Sequence, residues 1–303
     1  MEKEKNFISA VAYIHNDAGR VKPFLQRLYA QFDAAFATYE IILVNDACSD
    51  ASVQEAKEFV REAGIKAPIT IVNMSIYQGV ELAMNAGLDL AIGDFVYEFD
   101  TLMLSYEEEL ICKAYYTVLE GHDIVSVCPR RARNLGSNLF YRLFNSASKS
   151  KYKLQTDIFR VLSRRAINRV HAITATMPYR KAAYAASGLA VGMLYTNQKQ
   201  GKRKGPRMAL AVNSLALYTD AAYKLSLGIS GALLLATLVE LVYTVVINFS
   251  GRPIEGWTTT MLVLSFGFFG VFLVLAIVVK YLSLVVELLF KQQKYLIEGV
   301  EKL

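Results

Sequence analysis

The sequence predicts an α/β protein: a mostly parallel sheet domain followed by interfacial helices and two transmembrane helices. Two observations carry this. Strand-like and helix-like patterns alternate through the first 130 residues, which builds a parallel sheet covered on both faces. Charge then disappears: residues 225–279 hold only Glu240, Arg252 and Glu255. The chain has 303 residues and is 54% hydrophobic, enough for a domain plus a membrane attachment.

The elements follow in order. FISAVAYI is a buried strand and VKPFLQRLYAQFDAAF an amphipathic helix. YEIILVND is a second strand; ASVQEAKEFVREAG is a helix closed by Gly64. PITIVNM is a third strand and GVELAMNAGLDLAIG a helix. DFVYEFD is a fourth strand, EEELICKAYYTVLEG a helix and DIVSVCPR a fifth strand. Residues 137–175 read as helical around a short strand-like DIFRVLS, which closes a sheet domain spanning 1–175.

Residues 176–224 are basic and amphipathic. They suit helices at the membrane interface, or an ordinary packed helix pair. Residues 225–249 and 258–279 are each long enough to span a bilayer core of about 20 apolar residues; buried core helices are the weaker alternative. The span region is 225–290, with a short external loop at 250–257 and a tail at 291–303. Lys199, Lys202, Arg203, Lys204, Arg207 and Lys224 precede the first run, and Lys291, Lys294 and Lys302 follow the second. Positive residues mark the cytoplasmic side, so both termini are expected there. The charged start MEKEKNF does not read as a signal peptide.

Cys48, Cys112 and Cys128 are scattered and odd in number, as reduced thiols are. The net charge of +6 suits anionic lipid or phosphorylated ligands. No basic-aromatic motif points to nucleic acid. His15, His122 and His171 are too dispersed for a metal centre.

Ligands of parallel sheets bind outside the carboxyl ends of the strands. The loops there are 14–19, 45–52, 73–79, 100–105 and 129–136. The second holds Asn45, Asp46 and Asp50 just past an apolar run, where carboxylates can accept hydrogen bonds from a base or ribose. Asp50 or Ser49 also suits the cap of the following helix.

The order HND, VNDACSDAS, NMSIYQGVELAMNAGLDLAIGDFVYEFD resembles the polyprenyl-phosphate sugar transferases. These are GT-A-fold glycosyltransferases of family 2 related to dolichol-phosphate mannose synthase and the bacterial undecaprenyl-phosphate sugar transferases. RRARNLGSNLFYRLFN, DIFRVLSRRAI, the two apolar runs and YLSLVVELLFKQQKYLI continue the likeness over nearly the whole chain. The resemblance implies a Rossmann-like GT-A domain at 1–175 on the cytoplasmic face of a bacterial-type plasma (inner) membrane. It implies a nucleotide-sugar donor held by Asn16, Asp17, Asn45, Asp46, Gly79 and Asp100. It implies a polyprenyl phosphate acceptor, Mg²⁺ or Mn²⁺, no organic cofactor and a possible homo-oligomer. No Q-x-x-R-W-like segment of polymerising relatives is present.

The departures concern the metal. Asp100 takes the first position of the family's D-x-D, but Leu102 takes the second, and Asn45 replaces the first aspartate of D-D-G-S. Leucine offers no oxygen to a hard cation. Glu98, two residues before Asp100 and so on the same strand face, could supply a carboxylate, though a buried structural role suits it better. Arg130, Arg131 and Arg133 follow a strand end, where guanidinium groups match phosphate geometry; with Asp100 they form the expected catalytic set. Arg160, Lys202, Arg203 and Lys204 are further candidates for the acceptor phosphate or lipid headgroups. Two functions stay open: a transferase with a reduced metal site or basic side chains in place of the metal, and a non-catalytic membrane subunit that binds or scaffolds a glycan-assembly partner.

Overall fold

The computed structural model describes residues 2–65, 67–130, 141–142, 144–146, 152–173, 179–198, 228–229, 231–233, 235–236, 239, 256–290 and 295–303. Two compact units separate along the chain. The first comprises Met1–Leu210 and Gln293–Leu303, the second Ala211–Gln292.

The first unit alternates as expected. It runs β1 (Glu4–Ile14), α1 (Val21–Ala35), β2 (Phe36–Asn45), α2 (Ser52–Ala63), β3 (Ile69–Met74), α3 (Val80–Leu90), β4 (Phe95–Phe99), α4 (Glu109–Leu119) and β5 (Ile124–Pro129). Then come β6 (Phe159–Ser163), α5 (Arg164–Ile173), α6 (Arg180–Ala186), β7 (Val191–Thr196) and, from the far end of the chain, β8 (Ile297–Lys302). The eight strands form one sheet in the order β7-β5-β6-β4-β1-β2-β3-β8. β1 is parallel to β2 and β4, β2 to β3, and β5 to β7. β6 is antiparallel to both β4 and β5, and β8 to β3. The carboxyl ends of β1–β5 and β7 therefore share one edge.

α1 buries Val21, Phe24, Leu25, Leu28 and Phe32, its i, i+3, i+4, i+7 stripe. They meet an aromatic cluster of Phe36, Tyr97, Phe99, Tyr106 and Phe159. Phe24 lies edge-on to Phe99 at 5.2 Å between centroids, and Phe32 to Phe36 at 5.3 Å. α3 packs by close approach instead. A Cβ on Gly87 would fall 2.4 Å from Val11 Cγ1 and 2.6 Å from Val44 Cγ2, so only glycine lets the helix lie this near the sheet.

The sheet domain does not end at 175. Ala182, Ala183, Tyr184 and Ala185 of α6 are buried in the first unit and β7 pairs with β5. The small, basic character of this segment reflects tight internal packing and internal ion pairs. The tail expected at 291–303 likewise contains β8, whose charged, alternating IEGVEK covers the free edge of β3.

In the second unit, α7 (Trp257–Phe290) is a 34-residue helix. Phe266, Phe268, Phe269 and Phe272 are exposed on it. Among the described residues no helix is long and apolar enough to cross a membrane. The first expected run, 225–249, lies mostly outside the described residues.

Candidate active site

The strand-end loops after β1, β2 and β3 are laced together. Asn16 takes a left-handed φ of 52° and its Oδ1 accepts from the Ser49 N–H at 2.9 Å. The Asp17 N–H donates to Ser52 Oγ at 2.8 Å, and its carboxylate receives Arg20 at 3.2 Å. Asn45 Oδ1 accepts from the Cys48 N–H, while its Nδ2 donates to Asn73 Oδ1 on the paired strand at 2.8 Å. Asp50 accepts from Ser52 and from the Ala18 N–H at 2.9 Å, so it both starts α2 and ties the first loop to it. The His15 and Tyr77 rings sit 4.5 Å apart at the mouth of these loops, with Tyr77 exposed.

Asp46 is fully buried beneath them. Its Oδ1 accepts from the Gln78 N–H at 2.7 Å, and its Oδ2 from the Gly79 N–H and the Tyr13 hydroxyl, each at 2.8 Å. Burial, then the Asp46 charge, push the Tyr13 hydroxyl well up, so it remains a donor. Gly79 supplies the φ of 83° that aims its N–H at Asp46. Asp46 and Gly79, expected at the donor, hold each other here and set the loop that precedes α3.

At the end of β4 the arrangement is ionic. Arg160 Nη2 donates to Asp100 Oδ2 at 2.6 Å, Nη1 to Glu98 Oε2 at 2.6 Å, and Nε to Asp157 Oδ2 at 3.0 Å. Arg180 Nη2 donates to Asp100 Oδ1, its Nη1 lies 3.3 Å from Glu81 Oε2, and its Nε lies 3.4 Å from Glu98 Oε1. Lys181 pairs with Asp157, and the Tyr184 hydroxyl donates to Glu98 at 2.6 Å. All these groups are buried, Arg160 at 2% and Arg180 at 0% exposure. Burial pushes the Glu81 carboxyl up, although Arg180 pulls it down. Arg160, Arg180 and Lys181 share one buried cluster with Glu81, Glu98, Asp100 and Asp157.

Arg160 is thus not presented to an acceptor phosphate: each of its three nitrogens already meets a carboxylate. The register explains it, since Arg160 on β6 faces Glu98 on β4. Sequence reasoning missed Glu81, Asp157, Arg180, Lys181 and Tyr184. The readable signal was a lone arginine inside the apolar strand FRVLS, which demands a buried carboxylate opposite. Asp94 sits at the other end of β4, where it accepts from the Phe7 N–H at 2.9 Å. Arg130 is exposed at the end of β5, on the same edge as Asp100. Arg131, Arg133, Lys202, Arg203 and Lys204 lie outside the described residues.

A D-x-D-type cation does not fit this chain's residues. Both Asp100 oxygens carry guanidinium groups, and Leu102 is buried in the apolar core at 4% exposure. Glu98 is held by Arg160 and Tyr184. Among the described residues no group of three His, Cys, Asp or Glu side chains could hold a metal ion. A groove of about 770 Å³, lined by Asp123, Arg165 and Arg169, lies at the amino end of β5. The strand-end loops mark the site better, because parallel sheets bind ligands at their carboxyl ends.

Comparison with known proteins agrees with this topology. The chain is 28% identical over 185 residues to an uncharacterized glycosyltransferase of Synechocystis, covering 59% of this chain and 57% of that one. It is 23% identical over 314 residues to the uncharacterized glycosyltransferase YkcC of Bacillus subtilis, covering 97% and 94%. It is 24% identical over 217 residues to the undecaprenyl-phosphate 4-deoxy-4-formamido-L-arabinose transferase of Edwardsiella ictaluri, covering 69% and 66%. Among solved structures, a mannosyltransferase of Pyrobaculum calidifontis in complex with GDP-Man and Mn²⁺ superposes with a TM-score of 0.50 at 16% identity, over 92% of this chain and 88% of that one. The fold is therefore GT-A, with a mostly parallel sheet. The family model for glycosyl transferase family 2 matches residues 9–187, more than half of the chain, and the protein belongs to that family of glycosyltransferases.

Proposed function

We propose that the protein is a membrane-bound glycosyltransferase that moves a sugar from a nucleotide-sugar donor to a polyprenyl phosphate. The observation that carries this is the shared edge: the loops with Asn16 and Asp17, Asn45, Tyr77 and Gln78 open beside Asp100 and Arg130. The undecaprenyl-phosphate relative supports the acceptor class.

In this reading the nucleotide lies over the first three loops, with Tyr77 offering an exposed aromatic face to the base. An oxygen of the acceptor phosphate attacks the anomeric carbon, and the nucleoside diphosphate leaves with the bonding electrons. A phosphate monoester has a second pKa of roughly 6, so it attacks without a strong general base. The protein's contribution is position and charge stabilisation, with the exposed Arg130 on the same edge offering charge to the phosphates.

Two membrane spans at 225–249 and 258–279, with both termini cytoplasmic, complete the reading. The flanking lysines and arginines and the exposed phenylalanines of α7 support them. The buried pairing of Asp100 favours a second reading, a family member that keeps the fold but not the reaction. Turnover decides between them. Purified protein in detergent is offered UDP-, GDP- and CMP-sugars with a polyprenyl phosphate. Glycolipid formation is the expected result; a folded protein that forms none across that panel rejects the transferase reading.

A further inference from the structure

At the end of β4, where the resemblance to D-x-D implies a cation, the position is built differently. Asp100 receives one guanidinium on each oxygen, from Arg160 and from Arg180. Those two arginines are anchored from behind. Arg160 also binds Glu98 and Asp157, and Arg180 also donates from Nη1 to the carbonyl oxygens of Val80 at 2.9 Å and Glu81 at 3.1 Å. The cavity next to Asp157, Arg160, Lys181 and Tyr184 holds only about 40 Å³, room for a few waters. An ion such as Mg²⁺ takes about six oxygen ligands and needs at least one or two protein carboxylates free to bind it. To gain Asp100 it must expel two guanidiniums and strand them in a buried site, which low dielectric opposes.

We infer that Arg160 and Arg180 permanently take the place of the divalent ion on Asp100, so that this protein binds its nucleotide without metal. The inference rests on the reading that the strand-end loops hold a nucleotide-sugar. The two arginines act as positioning residues: they offset the Asp100 charge and fix the β4 end, while the exposed Arg130 on the same edge meets the diphosphate. Nothing in this needs Leu102 to be polar, and its burial in the core follows.

The test uses the full chain in detergent. Mn²⁺ is titrated into the protein and followed by electron paramagnetic resonance. In parallel, UDP and GDP are titrated by calorimetry in excess Mg²⁺ and in EDTA. The expected result is a free-Mn²⁺ signal undiminished by protein and a nucleotide Kd that changes less than about twofold between Mg²⁺ and EDTA. One bound Mn²⁺ per chain that disappears in Asp100→Asn would overturn the inference. So would a tenfold or greater weakening of nucleotide in EDTA. If neither nucleotide binds under any condition, the donor reading fails, while the manganese titration still decides the metal question.

Discussion

Asp46 and Asp100 end two strands that flank β1, both are buried, and they are held by opposite means. Asp46 receives neutral donors, two backbone amides and a phenol. Asp100 receives two guanidiniums. The first arrangement keeps a negative charge and uses it to shape a loop. The second cancels the charge and shapes a salt-bridged floor. An aspartate at a strand end is therefore not a ligand by position alone; its neighbours decide what charge remains to offer.

The contrast can be broken first at its ionic side. Arg180→Met leaves Asp100, Glu98 and Glu81 short of a cation, and removal of one partner of a buried pair costs about 3–5 kcal/mol. Urea unfolding of the detergent-solubilised protein, followed by tryptophan-independent near-ultraviolet dichroism, should show that loss. A variant as stable as the parent would mean the guanidinium contributes no net charge compensation.

Asp46→Ala is the matching change on the neutral side. It strands the Gln78 and Gly79 amides and the Tyr13 hydroxyl, at roughly 1–3 kcal/mol for an orphaned buried group. The same unfolding assay should rank it below Arg180→Met. If stability holds and only nucleotide affinity falls, Asp46 faces the ligand and the contrast collapses.

A weaker effect is expected where Leu296, just before β8, meets the loop after β3. Gln78 Nε2 donates to the Leu296 carbonyl at 2.7 Å, and its Oε1 accepts from the Leu296 N–H at 2.9 Å. Gln78→Ala removes both, for about 1 kcal/mol. Hydrogen exchange should quicken at β3 and β8 while β5 and β7 keep their protection; uniform quickening would deny a local clamp.

The smallest effect is a shift along the pH axis. The Thr196 hydroxyl, donating at 2.5 Å, holds the Glu107 carboxyl below its ordinary value of 4.5. A depressed acid contributes stability that is complete above that ordinary value and is lost as pH falls through the lowered one. Thr196→Val should therefore lower stability at neutral pH and flatten its fall on the acid side, because the folded carboxyl returns toward its ordinary value. Matching acid-unfolding curves for variant and parent would remove Glu107 from the account.

Much of this architecture was readable. Strand and helix periods located β1 to β5 and α1 to α4 because each element buries a continuous apolar face. The glycine pattern of α3 was visible too, and Gly87 shows its cause in the closeness of Val11 and Val44. β7 and β8 were not readable as part of the sheet. β7 follows a basic, alanine-rich helix that mimics a membrane-surface segment, and β8 is a short charged edge strand with no apolar signal of its own. At the site, Asp100 and Leu102 were legible as a departure from a motif. Their consequence was not, because Arg180 reaches Asp100 across 80 residues. Only the folded chain brings that cation home.

β8 also has a temporal meaning. Its partner β3 is made more than two hundred residues earlier, and α7 lies between them. Chains fold from their N-terminal side as they are synthesised. The β3 edge must therefore wait, with its backbone groups open, until the long apolar helix has been made and β8 follows it. The sheet is finished only once β8 has been made. A chain interrupted before it carries a bare strand edge, the surface on which proteins stick to copies of themselves, so truncated products of this gene should be cleared or aggregate rather than persist as a working soluble half.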